Sequence, residues 1–159
     1  MRVRRLRADE ADALRELRLR ALQDSPWAFG SSFERELEHG PDWWEARAGQ
    51  AGDEALYVAD HNSALVGMAG GFVPSEPDTV QLWGMWVAPE ARGRGLGRAL
   101  VESVIDWAGG RRVQLDVTDD ERARGAAALY RSLGFAPTGE REPLDSDPAL
   151  ETIVMTRSP

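Results

Sequence analysis

The segment from Thr79 to Ala108 does most to limit what this chain can become. Thr79 to Val87 reads as a strand rich in Trp, Met and Val, and Pro89 ends it because proline has no N–H to give a sheet ladder. From Gly95 to Ala108 the spacing is helical, with Leu96, Leu100, Val104 and Trp107 on one face. A turn of glycine and arginine, Arg92-Gly93-Arg94-Gly95-Leu96-Gly97-Arg98, joins the two. A helix start carries unpaired amides and a partial positive charge. Glycines let an anion reach those amides, so a phosphate or diphosphate fits the turn. Arg92, Arg94 and Arg98 add charge around it. Hydrogen bonds to charged groups contribute roughly 1.5–3 kcal/mol each. Four of them supply most of the roughly 8 kcal/mol behind a micromolar affinity.

Composition narrows the choice of anion. There is no cysteine, and all 19 cations are arginine. A P-loop lysine, Schiff-base chemistry, thiolate metal sites and a Cys nucleophile are therefore excluded. A dinucleotide fingerprint needs G-x-G-x-x-G, and Arg98 stands where its last glycine belongs. With two histidines, a histidine metal site would need both of them, and none is expected. The formal charge of −8 disfavours nucleic acid and mildly favours cationic partners. No apolar run reaches the roughly 20 residues of a membrane span, and the basic start Met1 to Arg7 lacks the apolar stretch of a secretory signal. The expectation is one cytoplasmic domain over residues 1–159, with no membrane partner.

The rest of the chain supplies elements around this segment. Arg2 to Arg7 reads as a first strand, and Asp9 as the N-cap of a helix reaching about Gln23. Trp27 to Phe33 reads as an apolar loop, Glu34 to Glu38 as an acidic segment, and Asp42 to Arg47 as a short helix. Ala55–Ala59 and Leu65–Val73 flank a turn and form a hairpin. Val113–Val117 is a buried strand, Arg124 to Leu133 a helix, and Gly134 its left-handed stop. Phe135 opens a strand, Thr152–Met155 is the last one, and Glu142 to Pro148 reads as a long acidic loop. The resulting order implies an α/β mixed sheet with helices on both faces.

These residues resemble a known family. Arg92-Gly93-Arg94-Gly95-Leu96-Gly97 matches the (Gln/Arg)-x-x-Gly-x-(Gly/Ala) signature of the GNAT superfamily of acetyl-CoA-dependent N-acetyltransferases. Leu129-Tyr130-Arg131-Ser132-Leu133-Gly134-Phe135 resembles that family's helix ending in Leu-Tyr-x-x-x-Gly-Phe. The resemblance implies a mostly antiparallel sheet of six to seven strands. It further implies that pantetheine lies between the strand ending at Val87 and that at Leu115 to Val117. Backbone groups near Trp86 and Val87 would bind its amides, and Arg92 to Arg98, including Gly93, Arg94, Gly95, Leu96 and Gly97, would cradle the diphosphate. Tyr130 corresponds to the tyrosine that protonates or hydrogen-bonds the departing thiolate; with a phenol pKa of about 10 against about 8.5 for a thiol the proton moves mildly uphill unless the site stabilises it.

Two positions depart from the family's pattern. Ala123 stands where many relatives carry an asparagine, and Gln81 where many carry a glutamate that serves as base or water anchor. The base is therefore open among Glu34, Glu36, His39, Asp116 or a water chain. Phe29, Phe33, Glu34 and Gln81, with Trp27, are expected on the acceptor side, where aromatic and acidic groups suit a cationic amine. The implied reaction is direct acetyl transfer from acetyl-CoA to a primary amine of a small molecule, or of a peptide or protein. A non-catalytic acyl-CoA sensor and a nucleotide-binding protein are the alternatives. Trp43 and Trp44 are either buried or, if exposed, the surface of a homodimer.

Overall fold

A computed structural model describes residues 1–159. Seven strands form one sheet: β1 (Arg2–Arg5), β2 (Glu54–His61), β3 (Ala64–Phe72), β4 (Thr79–Val87), β5 (Arg112–Thr118), β6 (Ala136–Leu144) and β7 (Asp147–Arg157). Their order is β1-β2-β3-β4-β5-β7-β6. Every neighbouring pair is antiparallel except β4 and β5, which run parallel. Five helices complete the chain: α1 (Ala11–Asp24), α2 (Phe33–Leu37), α3 (Pro41–Gly49), α4 (Leu96–Ala108) and α5 (Arg124–Ser132). The mixed sheet is as expected, and it reaches the upper strand number.

Side-chain alternation sorts the two faces. Gly67 and Gly71 of β3 turn toward Leu100, Val104 and Trp107 of α4. Met68 and Gly70 turn the other way, toward the layer that contains Arg18 of α1 and the Trp83 ring. The β2–β3 turn places Asn62 and Ser63 at φ 52° and 68°, the left-handed pair that a two-residue hairpin demands. No helix is long and apolar enough to cross a membrane.

Four sequence expectations change. The α1 N-cap is Glu10, not Asp9. The Glu10 carboxylate accepts the Arg7 N–H and two bonds from Arg4, all at 2.8 Å. The Arg4 hydrogen bonds, against the cost of partial burial, hold it down at about 2. Residues 33–37 form α2 instead of an irregular acidic segment, capped by the Ser32 hydroxyl accepting from Arg35 N. The short helix α3 begins at Pro41 and extends to Gly49. Glu142 to Pro148 is not a loop: β6 and β7 run through it and turn tightly between Leu144 and Asp147. β6 lies at the sheet edge, where its polar residues face solvent and Pro137 and Pro143 cost no ladder bond in the interior.

The tryptophans offer no exposed patch. Trp44 is buried and Trp43 lies half-buried with His39 stacked on it at 3.9 Å. The exposed large apolar side chains are Met1 and Leu37.

Candidate active site

β4 and β5 pair over only three rungs, Thr79–Arg112, Val80–Val113 and Gln81–Gln114. Past Gln81 they part, because β5 keeps its partners on β7 as far as Thr118 while β4 stays on β3. The gap opens a cleft of about 490 Å³, bounded by Leu82 to Val87, Leu115 to Thr118, the turn before α4, and α5. That volume suits a small ligand, and most of the wall is apolar.

At the wide end of the cleft α4 begins. Gly95 is its N-cap at φ 80°, and no side chain caps the first turn. The amides at the helix start are thus left to a ligand or to water. Gly93 also holds a left-handed φ, 78°. Gly97 faces the cleft, and a Cβ there would lie 3.3 Å from Leu129 Cδ2 of α5. These three glycines and Leu96 border the opening, whereas Arg94 and Arg98 stand outside its wall. Arg98 Nη2 donates to Ser132 Oγ at 2.6 Å, tying α4 to α5.

Arg92 is turned back into the protein. Its Nε donates to the Val87 carbonyl and its Nη2 to Asp24 Oδ2, both at 2.8 Å. The same Asp24 oxygen accepts the Trp86 indole N–H at 3.0 Å and the Ser25 hydroxyl at 2.7 Å. One carboxylate at the end of α1 therefore braces the end of β4 and the glycine turn together. Asp24→Ala leaves the buried Trp86 N–H without its acceptor, and a loss of about 1–3 kcal/mol is expected in urea unfolding.

Tyr130 forms part of the cleft wall, 6% exposed and edge-on to Phe135. Burial alone pushes its phenol above the ordinary tyrosine range. Ala123 lines the same wall. Met85 and Val87 point to the α4 side, near Gly97, while Trp86 points to α1.

Part of the wall is aromatic. Trp27, Phe29 and Trp83 line it, with the loop before α2 pinned by Thr118 Oγ1 donating to Trp27 O at 2.8 Å and Ser146 Oγ to Phe29 O at 2.6 Å. The Arg18 guanidinium sits over the Phe29 and Trp83 rings and pairs with Glu36 through two 3.0 Å bonds. Glu36 is thereby committed to an ion pair. Phe33 packs on the core, Glu34 is exposed, and neither borders the cleft. Of the residues weighed as base, Asp116 lines the cleft. Gln81 is its neighbour, donating to Asp116 Oδ2 at 3.4 Å. Trp83 and Arg122 were not singled out in sequence, yet both line the site. An aromatic in a strand reads as core, and Arg122 reaches Trp27 only through the tertiary fold.

A model of the acetyltransferase (GNAT) family matches residues 12–135. The chain belongs to this family. Among GNAT relatives, the N-alpha-acetyltransferase RimI of Mycobacterium tuberculosis is 37% identical over 139 residues, 82% of this chain and 77% of that protein. The L-2,4-diaminobutyric acid acetyltransferase of Halomonas elongata is 34% identical over 107 residues, 63% of this chain and 55% of that one. An uncharacterized Mycobacterium leprae protein is 35% identical over 123 residues, but the chain spans 29% of its length. The solved GCN5-related N-acetyltransferase from Kribbella flavida is similar throughout, at TM-score 0.72 and 27% identity, covering 99% of this GNAT chain and 97% of its own. No group of three or more His, Asp or Glu side chains is arranged to hold a metal ion.

Proposed function

We propose that this chain moves the acetyl group of acetyl-CoA directly to the primary amine of a small, cationic molecule. The observation that carries the reading is the cleft between β4 and β5, which has uncapped helix amides at one end and the Tyr130 phenol in its wall. Amides of the turn from Gly93 to Gly97 would take the diphosphate, with Arg94 the exposed cation beside them. Arg92 then acts as a brace instead of a direct phosphate ligand, holding the Val87 carbonyl from one side. Backbone groups along the edge of β4 that β5 leaves unpaired would serve the pantetheine arm. Tyr130 would give its proton to the departing sulfur.

The amine class is supported by two relatives, one named for an α-amino group and the other for diaminobutyric acid. Aromatic walls at Trp27, Phe29 and Trp83 and the carboxylate of Asp116 suit a cation. The test is calorimetry with acetyl-CoA, followed by thiol release with L-2,4-diaminobutyrate or an alanine-initiated peptide as acceptor. The chain has no cysteine, so a thiol reagent reports CoA alone. Micromolar binding and thiol release with diaminobutyrate are expected. Release with the peptide only would move the acceptor to protein N-termini. Binding without release from either would favour a sensor, and no binding would overturn the reading.

A further inference from the structure

We infer that the amine acceptor carries a carboxylate, and that the buried Arg18 guanidinium receives it beside Gly84 with added charge from Arg47. The inference rests on the acetyl-transfer reading above and names the chemistry of the acceptor. Arg18 of α1 is 8% exposed, and two of its nitrogens are spent: Nε and Nη2 each donate to a Glu36 carboxylate oxygen at 3.0 Å. Nη1 is buried and has no hydrogen-bond partner. A buried donor left unpaired is costly, and a charged one more so, so Nη1 calls for an acceptor atom from outside the chain.

Nη1 lies against the cleft wall. Gly84 lines the cleft at φ 68°, and a Cβ built on it would stand 3.5 Å from Nη1 and 3.3 Å from Met68 Cε. Because residue 84 is glycine, that position has room for one heavy atom next to Nη1. The guanidinium also lies over the rings of Phe29, at 4.8 Å, and Trp83, at 5.5 Å, and both rings border the same cleft. Phe29 sits on the loop before α2, and its ring turns aside to admit the ligand. An oxygen that reaches Nη1 is then shielded from bulk water, where a charge-assisted hydrogen bond is strong.

Charge favours an anion at this point, although the chain as a whole carries a formal −8. Arg47 of α3 lies over the Trp43 ring at 4.4 Å and the Trp83 ring at 5.1 Å. It feels Glu36 and Glu54 only through space, and burial and the Arg18 charge lower its guanidinium from the ordinary value. Glu54 is exposed. Around Trp83 two guanidiniums therefore share one buried carboxylate, that of Glu36. The surplus positive charge is balanced when the acceptor brings a carboxylate of its own. An amino acid with a free amine meets both demands: an ammonium for the aromatic wall and Asp116, a carboxylate for Arg18.

The test compares kcat/KM for L-2,4-diaminobutyrate, its carboxamide, and 1,3-diaminopropane, which lacks the acid group altogether. The acid is expected to be favoured about 100-fold over either, because a site built to hydrogen-bond a substrate group rejects analogues without it. Arg18→Met/Glu36→Leu removes the pair without stranding a charge, and should bring the three compounds within about threefold of one another. Arg47→Met leaves the pair in place and should cut the preference about tenfold. Equal kcat/KM for acid and carboxamide, or a preference that survives either variant, would overturn the inference while leaving acetyl transfer standing. Should the wild type acetylate none of the three, or the double variant fail to fold, calorimetry with CoA present decides on wild type and Arg47→Met. The inference then expects L-2,4-diaminobutyrate to bind at least about tenfold tighter than 1,3-diaminopropane, with Arg47→Met narrowing the margin. Equal affinities, or no binding of the acid, would overturn it.

Discussion

Glu36→Ala is expected to lower the unfolding free energy by about 3–5 kcal/mol, the largest stability loss at any single surface or core position discussed above. Glu36 and Arg18 are both buried, at 4% and 8% exposure, and the variant strands a guanidinium among Phe29 and Trp83. One of its nitrogens, Nη1, already has no partner. Removing both charges together avoids this, so Arg18→Met/Glu36→Leu should recover most of the loss. Burial raises the Glu36 carboxyl, the Arg18 bonds outweigh it, and the net position is below the ordinary 4.5. The stability this confers is complete above about pH 4.5 and is lost as pH falls through the lower folded value. Urea midpoints measured from pH 7 downward should therefore converge for wild type and Glu36→Ala. Parallel curves at all pH values would show that the ion pair is not the cause.

Tyr130→Phe should reduce kcat about 100-fold with the Kd for acetyl-CoA unchanged. The ring stays, so its contact with Phe135 and its place in the cleft wall are preserved. Only the hydroxyl is removed. Burial keeps the phenol protonated across the neutral range, as the proposed role of proton donor requires. Stopped-assay kcat against calorimetric Kd separates the two effects. Equal loss of both would assign Tyr130 to packing.

Much of this was legible in the sequence because two periodicities meet near Val87. A strand pattern, a glycine turn and a helical stripe needed no tertiary information, and β4, α4 and α5 fall within a residue or so of where the spacing puts them. α2 was missed for a physical reason: five residues are too few to show a period, and its burial depends on Arg18, which is distant in sequence. β6 was cut short because an edge strand exposed to water needs no apolar alternation, so its charges and prolines imitate a loop. At the site, Gly93, Gly95, Leu96 and Gly97 of the signature, and Tyr130, border the cleft. It did not foresee that Arg92 would fold back onto Asp24 and Val87, or that Gln81 and Asp116 would become neighbours. Those contacts join residues on separate elements, and no local pattern encodes them.

The pairing of β3 with β4 slips between Met68 and Gly70, where Gly84 sits at φ 68°. Before that slip Gln81 and Trp83 look toward α1; after it Met85 and Val87 look toward α4, although all four have odd numbers. A single strand thus serves the two sides of the sheet with opposite parity, odd-numbered side chains meeting the α1 layer upstream and the α4 layer downstream. Such a phase change is discrete. Residue exchanges can alter either half separately, but only gaining or losing a whole residue could trade the layers they face, so drift in one half leaves the other half's orientation intact.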